Sequence, residues 1–274
     1  MLNEPLESPI AFAHRGYSPD RAENSMAAFT AAVDLGYGYL ETDARVTADG
    51  IAVAFHDYLL DRVTTHTGRL ADLRWDELSR VRIRGREPIP RLADVLTALP
   101  DTRFNIDVKC HAAVGPTLDA IRQAAAWHRV RLAAFSHPRC LLLRGAAGPA
   151  VGSALSPREI LALKLTERHV PPVRRAPVAR AAPLRARWHR LGGARAASLP
   201  ADVAAQVPAG PRHARLVTAA FVAAAHSRGF PVHVWTVNDP GEMTRLLDLG
   251  VDGIISDRAD LLRDVLRGRG HWPG

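Results

Sequence analysis

The sequence predicts an α/β fold, a single TIM-like (β/α)8 barrel with a small insertion after its third strand. Three observations point there. Short apolar segments rich in small and β-branched residues alternate with helix-like stretches, the pattern of a parallel sheet covered by helices. The length, 274 residues, suits one such barrel of about 250 residues. Ionisable residues gather at the C-terminal ends of the apolar segments, where barrel enzymes build their sites.

In chain order the strand candidates are Ile10–Ala13, Gly38–Thr42, Ile51–Phe55, Arg103–Val108, Arg131–Phe135, Ala150–Leu155, Val203–Val207, Pro231–Val237 and Gly253–Ser256. They exceed the eight barrel places by one, and Ala150–Leu155 or Val203–Val207 is the expected outsider. Between them Ser25–Leu35 reads as a helix, with Ser25 as N-cap and Gly36 as its stop. Leu92–Leu99, Pro116–Trp127, Thr218–Arg228 and Pro240–Leu249 read as helices too. The barrel domain is expected over residues 8–268. Within it, 57–90 reads as an elaborated loop or small insertion and 165–200 as an irregular Arg-, Pro- and Ala-rich excursion.

The formal net charge is +8, which on its own favours an anionic partner. The charge is almost all Arg, with Lys109 and Lys164 the only lysines, and no basic block forms a nucleic-acid arm. Nucleic acid is therefore not expected as a partner. Cys110 and Cys140 stand at no metal-ligand spacing and imply no disulfide framework. No secretory signal is visible and no apolar run reaches the roughly 18 residues of a membrane span. A cytoplasmic protein is the expectation.

The strand ends carry the chemistry. His14-Arg15-Gly16 ends the first, Glu41-Thr42-Asp43 the second, His56-Asp57 the third and Asp107-Val108-Lys109 the fourth. Residues two apart on a strand share a face, so Glu41 points with Asp43 and Asp107 with Lys109. Carboxylates converging on one mouth need a positive charge between them, and oxygen ligands favour a hard divalent cation, Mg²⁺ or Ca²⁺. Arg15 offers a planar fork to phosphate oxygens and Lys109 a point charge. His14 and His56 titrate near neutrality. One as base and one as acid is what phosphodiester cleavage requires.

With Glu23-Asn24-Ser25, Asp49-Gly50, Leu60-Asp61-Arg62-Val63-Thr64, Ile89-Pro90-Arg91-Leu92, Asn105-Ile106-Asp107-Val108-Lys109, Val234-Trp235-Thr236-Val237-Asn238 and Gly253-Ile254-Ile255-Ser256-Asp257, these motifs resemble the glycerophosphodiester phosphodiesterase family. The resemblance is strong over residues 10–110 and continues over 203–266. It implies metal-dependent cleavage of glycerophosphodiesters to glycerol 3-phosphate and an alcohol, often through a cyclic phosphate. It implies His14 and His56 as the acid/base pair, and Glu41, Asp43 and Asp107 as ligands of one divalent cation. It implies Arg15 and Lys109 as phosphate-binding residues and Trp235 as a pocket aromatic. The sequence departs from the family at Ala22, where Pro is usual, and at Asp107, where the longer Glu is commoner. Two other readings remain open. One is the same barrel acting on a lysophospholipid head group, with Leu59, Leu60, Leu70, Leu73 and Trp75 as core or as an apolar lip. The other is a non-catalytic polyanion-binding protein.

Overall fold

Alternation of buried strands and amphipathic helices closes the chain on itself. The computed structural model describes residues 8–20, 22–167, 199–200, 202–210 and 216–272. Among them eight parallel strands form the barrel: β1 (Ile10–His14), β2 (Tyr39–Val46), β6 (Arg103–Val108), β7 (Val130–Ala133), β8 (Gly152–Ala154), β9 (Val203–Pro208), β10 (Val232–Trp235) and β11 (Gly253–Ser256). Each pairs with its successor, and β1 closes the ring by pairing with both β11 and β2. Helices α1 (Met26–Asp34), α3 (Leu92–Ala98), α4 (Val114–Gln123), α5 (His137–Ala147), α6 (Pro157–Thr166), α7 (Ala219–His226), α8 (Pro240–Asp248) and α9 (Ala259–Gly268) cover the outside. The main core lies between strands and helices, around Phe29, Leu40, Phe104, Ile106, Phe221 and Leu262.

The ninth strand candidate is resolved differently from expectation. Ala150–Leu155 and Val203–Val207 both supply barrel strands, β8 and β9. The outsider is Ile51–Phe55, whose strand β3 (Ala52–Ala54) runs antiparallel to the end of β2, with Ala44 opposite Ala54 and Val46 opposite Ala52. Its sequence misleads because both of its faces are buried. Ala52 and Ala54 join the main core, while Val53 and Phe55 enter a second cluster with Leu60, Leu70, Leu78 and Ile83. That second cluster organises residues 57–90, which carry a 3₁₀ turn (Leu70–Asp72), α2 (Trp75–Leu78) and the hairpin β4 (Arg82–Ile83) and β5 (Glu87–Pro88). The excursion expected at 165–200 falls mainly on 168–198, outside the described residues; α6 runs on through Leu165 and Thr166.

Helix ends follow capping chemistry. The Ser25 hydroxyl accepts the Ala28 N–H at 3.1 Å and donates to the Ala22 carbonyl at 2.7 Å. Ser156 and Glu159 make a reciprocal capping box at the start of α6. Gly16 has φ +82°, and a Cβ there would stand 2.5 Å from the Ala28 carbonyl carbon. Glycine is therefore required where the chain turns from β1 against α1.

Candidate active site

The C-terminal ends of the barrel strands open onto a cavity of about 420 Å³, which all eight predicted site residues line. Strand register sets their depth. His14 pairs with Glu41, Glu41 with Asn105, and Asp43 with Asp107. Period two turns Glu41 and Asp43, and likewise Asn105 and Asp107, into the barrel. His56 arrives by another route than expected, because it does not end a parallel strand. The β2–β3 hairpin leaves the barrel and returns, and the Phe55 N–H donates to the Asp43 carbonyl at 3.0 Å. His56 is thereby delivered to the level of Asp43 from outside the ring.

The carboxylates are unequally compensated. Asp43 is 1% exposed; the Lys109 Nζ lies 2.6 Å from its Oδ1 and the Arg15 Nε 3.0 Å from its Oδ2. Asn24 Nδ2 donates to Oδ2 at 2.8 Å. Burial opposes the Asp43 charge, but Lys109 and Arg15 outweigh it and hold the carboxyl below its ordinary range. Glu41 lacks such partners. Burial and then the neighbouring Asp43 push its pKa up, and its nearest contacts are the Arg15 N–H at 3.3 Å and His14 Nε2 at 3.6 Å. Asp107 is pushed up by burial as well, in spite of Lys109 Nζ at 2.5 Å from Oδ2. Its Oδ1 is buried with no hydrogen-bond partner.

These observations bear on a cation. Among the described residues no group of three or more His, Cys, Asp or Glu side chains is arranged as a metal centre, and Lys109 stands between Asp43 and Asp107. The donor set nonetheless fits a hard divalent ion in its chemistry. It is all oxygen, two of its carboxylates carry charge that the protein leaves undercompensated, and one buried oxygen is unpaired.

Both imidazoles are held in the same manner. His14 Nδ1 donates to Asp257 Oδ1 at 2.6 Å, and His56 Nδ1 donates to Asp57 Oδ1 at 2.6 Å. A carboxylate on Nδ1 fixes tautomer and ring orientation and leaves Nε2 as the nitrogen without a proton in the neutral ring. Burial pulls the pKa of His14 down, but Glu41 and Asp257 outweigh it and the net shift is upward. For His56 burial prevails over Asp43 and the shift is downward.

A second tier of side chains ties the site together. Glu23 accepts from Arg15 Nη1 at 2.7 Å and from Arg62 Nη2 at 2.6 Å, and Arg62 Nε also pairs with Asp57. Asn24, besides holding Asp43, accepts from the Thr42 hydroxyl at 2.7 Å. Arg15 and Asn24 both adopt left-handed backbone, with φ 57° and 58°, a conformation kept only where the surroundings overdetermine it. Asn238 Nδ2 donates to Asp257 Oδ2 at 2.8 Å. Sequence reasoning assigned no site role to Glu23, Asn24, Asp57 or Asp257, although each stands within or beside a motif at the barrel mouth.

The far wall is apolar. Trp235 packs edge-to-face on Phe135 with ring centroids 5.2 Å apart, and Leu155, Ile160 and Leu216 continue the surface. The insertion does not line the cavity. Leu60 and Leu70 are buried in its own cluster, Leu73 and Trp75 pack partly buried against that cluster, and Leu59 is exposed.

Residues 14–261 match the profile of the glycerophosphoryl diester phosphodiesterase family. A Mycobacterium tuberculosis protein named "Probable glycerophosphodiester phosphodiesterase 2" is 39% identical over 269 residues, covering 97% of this chain and 93% of its own. The glycerophosphodiester phosphodiesterase of Caldanaerobacter subterraneus is 27% identical, covering 94% and 98%. Among solved structures, an Oleispira antarctica phosphodiesterase in complex with the product sn-glycerol-3-phosphate superposes with a TM-score of 0.71 at 20% identity, covering 95% of this chain and 97% of its own. That last likeness speaks to the fold.

Proposed function

The chain belongs to the glycerophosphoryl diester phosphodiesterase family, and from that premise we propose that it hydrolyses glycerophosphodiesters to glycerol 3-phosphate and an alcohol with a divalent cation and two histidines. The observation that carries the proposal is the shared cavity: two imidazoles, each with Nδ1 tied to a carboxylate, face the same acidic and basic cluster.

In this reading Arg15 and Lys109 bind and orient the phosphate. Glu41, Asp43 and Asp107 would hold one Mg²⁺ or Ca²⁺. When bound, that ion supplies Lewis-acid stabilisation of the charge that builds on phosphate oxygen. One Nε2 takes the proton of the glycerol hydroxyl beside the phosphate as that oxygen attacks phosphorus. The other Nε2 protonates the departing alkoxide, and a cyclic phosphate remains. Water then opens the ring with the two imidazoles in exchanged roles, restoring both. Trp235 and Phe135 shield this chemistry on the apolar side.

The test is release of glycerol 3-phosphate from glycerophosphocholine in the presence of Mg²⁺ or Ca²⁺. His14→Ala and His56→Ala are each expected to lower kcat by roughly 10²–10⁴, with thermal melting confirming the fold. Full turnover in both variants would refute the proposal. The apolar wall of Phe135, Leu155, Ile160 and Leu216 favours a second reading, a lysophospholipid cleaved at its head group, since such a wall suits an acyl chain. Comparing kcat/KM for glycerophosphocholine and lysophosphatidylcholine separates the two. A polyanion-binding protein without catalysis predicts no turnover and steeply salt-dependent binding; the paired imidazoles argue against it, since binding needs neither.

A further inference from the structure

We propose that Asn105 and Gln206, side by side in the lining of the cavity, form a subsite that selects its substrate by the terminal hydroxyl of a glycerol group. The inference rests on the phosphodiesterase reading and deepens it, because the acid/base and phosphate machinery engages the hydroxyl beside the phosphate and nothing in it recognises the terminal one.

The two side chains come from strands that are not neighbours, β6 and β9, and they meet across the barrel. Gln206 Nε2 donates to Asn105 Oδ1 at 2.7 Å and lies 3.5 Å from His233 Nδ1. Both N–H bonds of the Gln206 amide are thereby directed at protein atoms. Asn105 Nδ2 and Gln206 Oε1 make no other hydrogen bond among the described residues, and both residues line the cavity. One donor and one acceptor therefore stand together and unspent. Exchanging O and N in both amides would swap the roles and still leave one of each.

A hydroxyl is the ligand that matches this pair. It accepts one hydrogen bond and donates one, whereas a phosphate oxygen only accepts and an ammonium only donates. The position is also apt. Asn105 is level with Glu41 and two residues below Asp107 on the same face, which places it about 7 Å deeper along the strand. That depth is comparable with the span of a three-carbon phosphate ester whose phosphate lies at Arg15 and Lys109. The apolar part of the wall, Ala133, Ala154, Leu155 and Ile160, offers no side-chain hydrogen bond. Asn105 is 3% exposed. A substrate without the hydroxyl would bury these amide groups unpaired, and such sites reject the deoxy analogue much more strongly than apolar pockets reject a missing methylene.

The test compares glycerophosphocholine with the analogue whose terminal hydroxyl is replaced by hydrogen, keeping the attacking hydroxyl. The native enzyme is expected to prefer the glycerol form by at least about tenfold in kcat/KM. Gln206→Leu is expected to bring that ratio to within about twofold, chiefly through a higher KM for glycerophosphocholine. Asn105→Ser provides the same contrast should Gln206→Leu not fold. A binding readout needs no turnover: the native protein binds sn-glycerol 3-phosphate more tightly than inorganic phosphate, and the variants lose that margin while keeping their phosphate affinity. A native enzyme indifferent to the hydroxyl, or variants that keep the full preference, would overturn the inference. Absence of turnover by the native enzyme would instead count against the parent reading, with the binding contrast still deciding this one.

Discussion

At the level of single residues the site is a set of paired charges in which the histidines are positioned by partners remote in sequence. His14 is separated from Asp257 by 243 positions and bonded to it at 2.6 Å. Asp257 therefore fixes the tautomer of His14 and favours its imidazolium, as an orienting carboxylate would in the proposed mechanism. Asp257→Asn keeps a hydrogen-bond acceptor and removes the charge. The expected result is a fall in kcat on the order of 10²–10⁴ with little loss of thermal stability. Burial lowers the pKa of His14, while Glu41 and Asp257 raise it, so removing one of the raising groups must move it down. The limb of the pH–rate profile that belongs to His14 should shift to lower pH; an unmoved limb and unchanged kcat would remove Asp257 from the mechanism. The histidines themselves were legible because each heads a motif at a strand end. Asp257 was not, since a carboxylate after a strand more often caps the next turn.

At the level of elements, strand β3 was misassigned and helices α5, α6 and α9 were not anticipated. Strand β3 looks like a barrel strand because both faces are buried, one in each of two cores, and periodicity does not show which core is which. Helix α5 was missed because its composition, with Pro138, Gly145 and Gly148 around three leucines, dilutes the helical period. What secures α5 against α6 is a buried ion pair: Arg144 donates from Nη1 and Nη2 to the two Glu159 oxygens, both at 2.8 Å, and Ser156 N–H donates to Glu159 at 2.7 Å. Burial alone would raise the Glu159 pKa, but Arg144 outweighs it and the net shift is downward. A carboxylate depressed in the folded state stabilises above its unfolded pKa and loses that contribution as pH falls through the folded value. Glu159→Gln leaves a buried guanidinium uncompensated. It should cost about 3–5 kcal/mol in denaturant unfolding at neutral pH and flatten the loss of native stability on acidification. A change within experimental error at both pH values would show that the pair contributes nothing.

For the whole molecule, the net charge of +8 is a weak guide to function, because the charges that matter are the few brought to the barrel mouth. Strands β2 and β6 bring Glu41, Asp43 and Asp107 to one mouth, with Glu41 two residues deeper than the other two, and folding thereby holds like charges together at a cost that Lys109 and Arg15 only partly offset. A bound divalent cation would relieve that repulsion in the folded chain, whereas the unfolded chain keeps its carboxylates apart and solvated. Binding should therefore appear as stability. By mass action, Mg²⁺ or Ca²⁺ at 100 times its Kd stabilises by about 2.7 kcal/mol, which for a chain of this size raises Tm by roughly 5 °C. The same titration on Asp43→Asn and Asp107→Asn should give a smaller rise, and metal-free Asp107→Asn should melt no lower than the metal-free parent, because burial disfavours the Asp107 charge. Prior treatment with a chelator should abolish glycerol 3-phosphate release and return Tm to the ion-free value, with added cation restoring both. If Tm and turnover are indifferent to chelator and cation alike, the acidic cluster serves only to hold Lys109 and Arg15, and the role of a metal in this site falls.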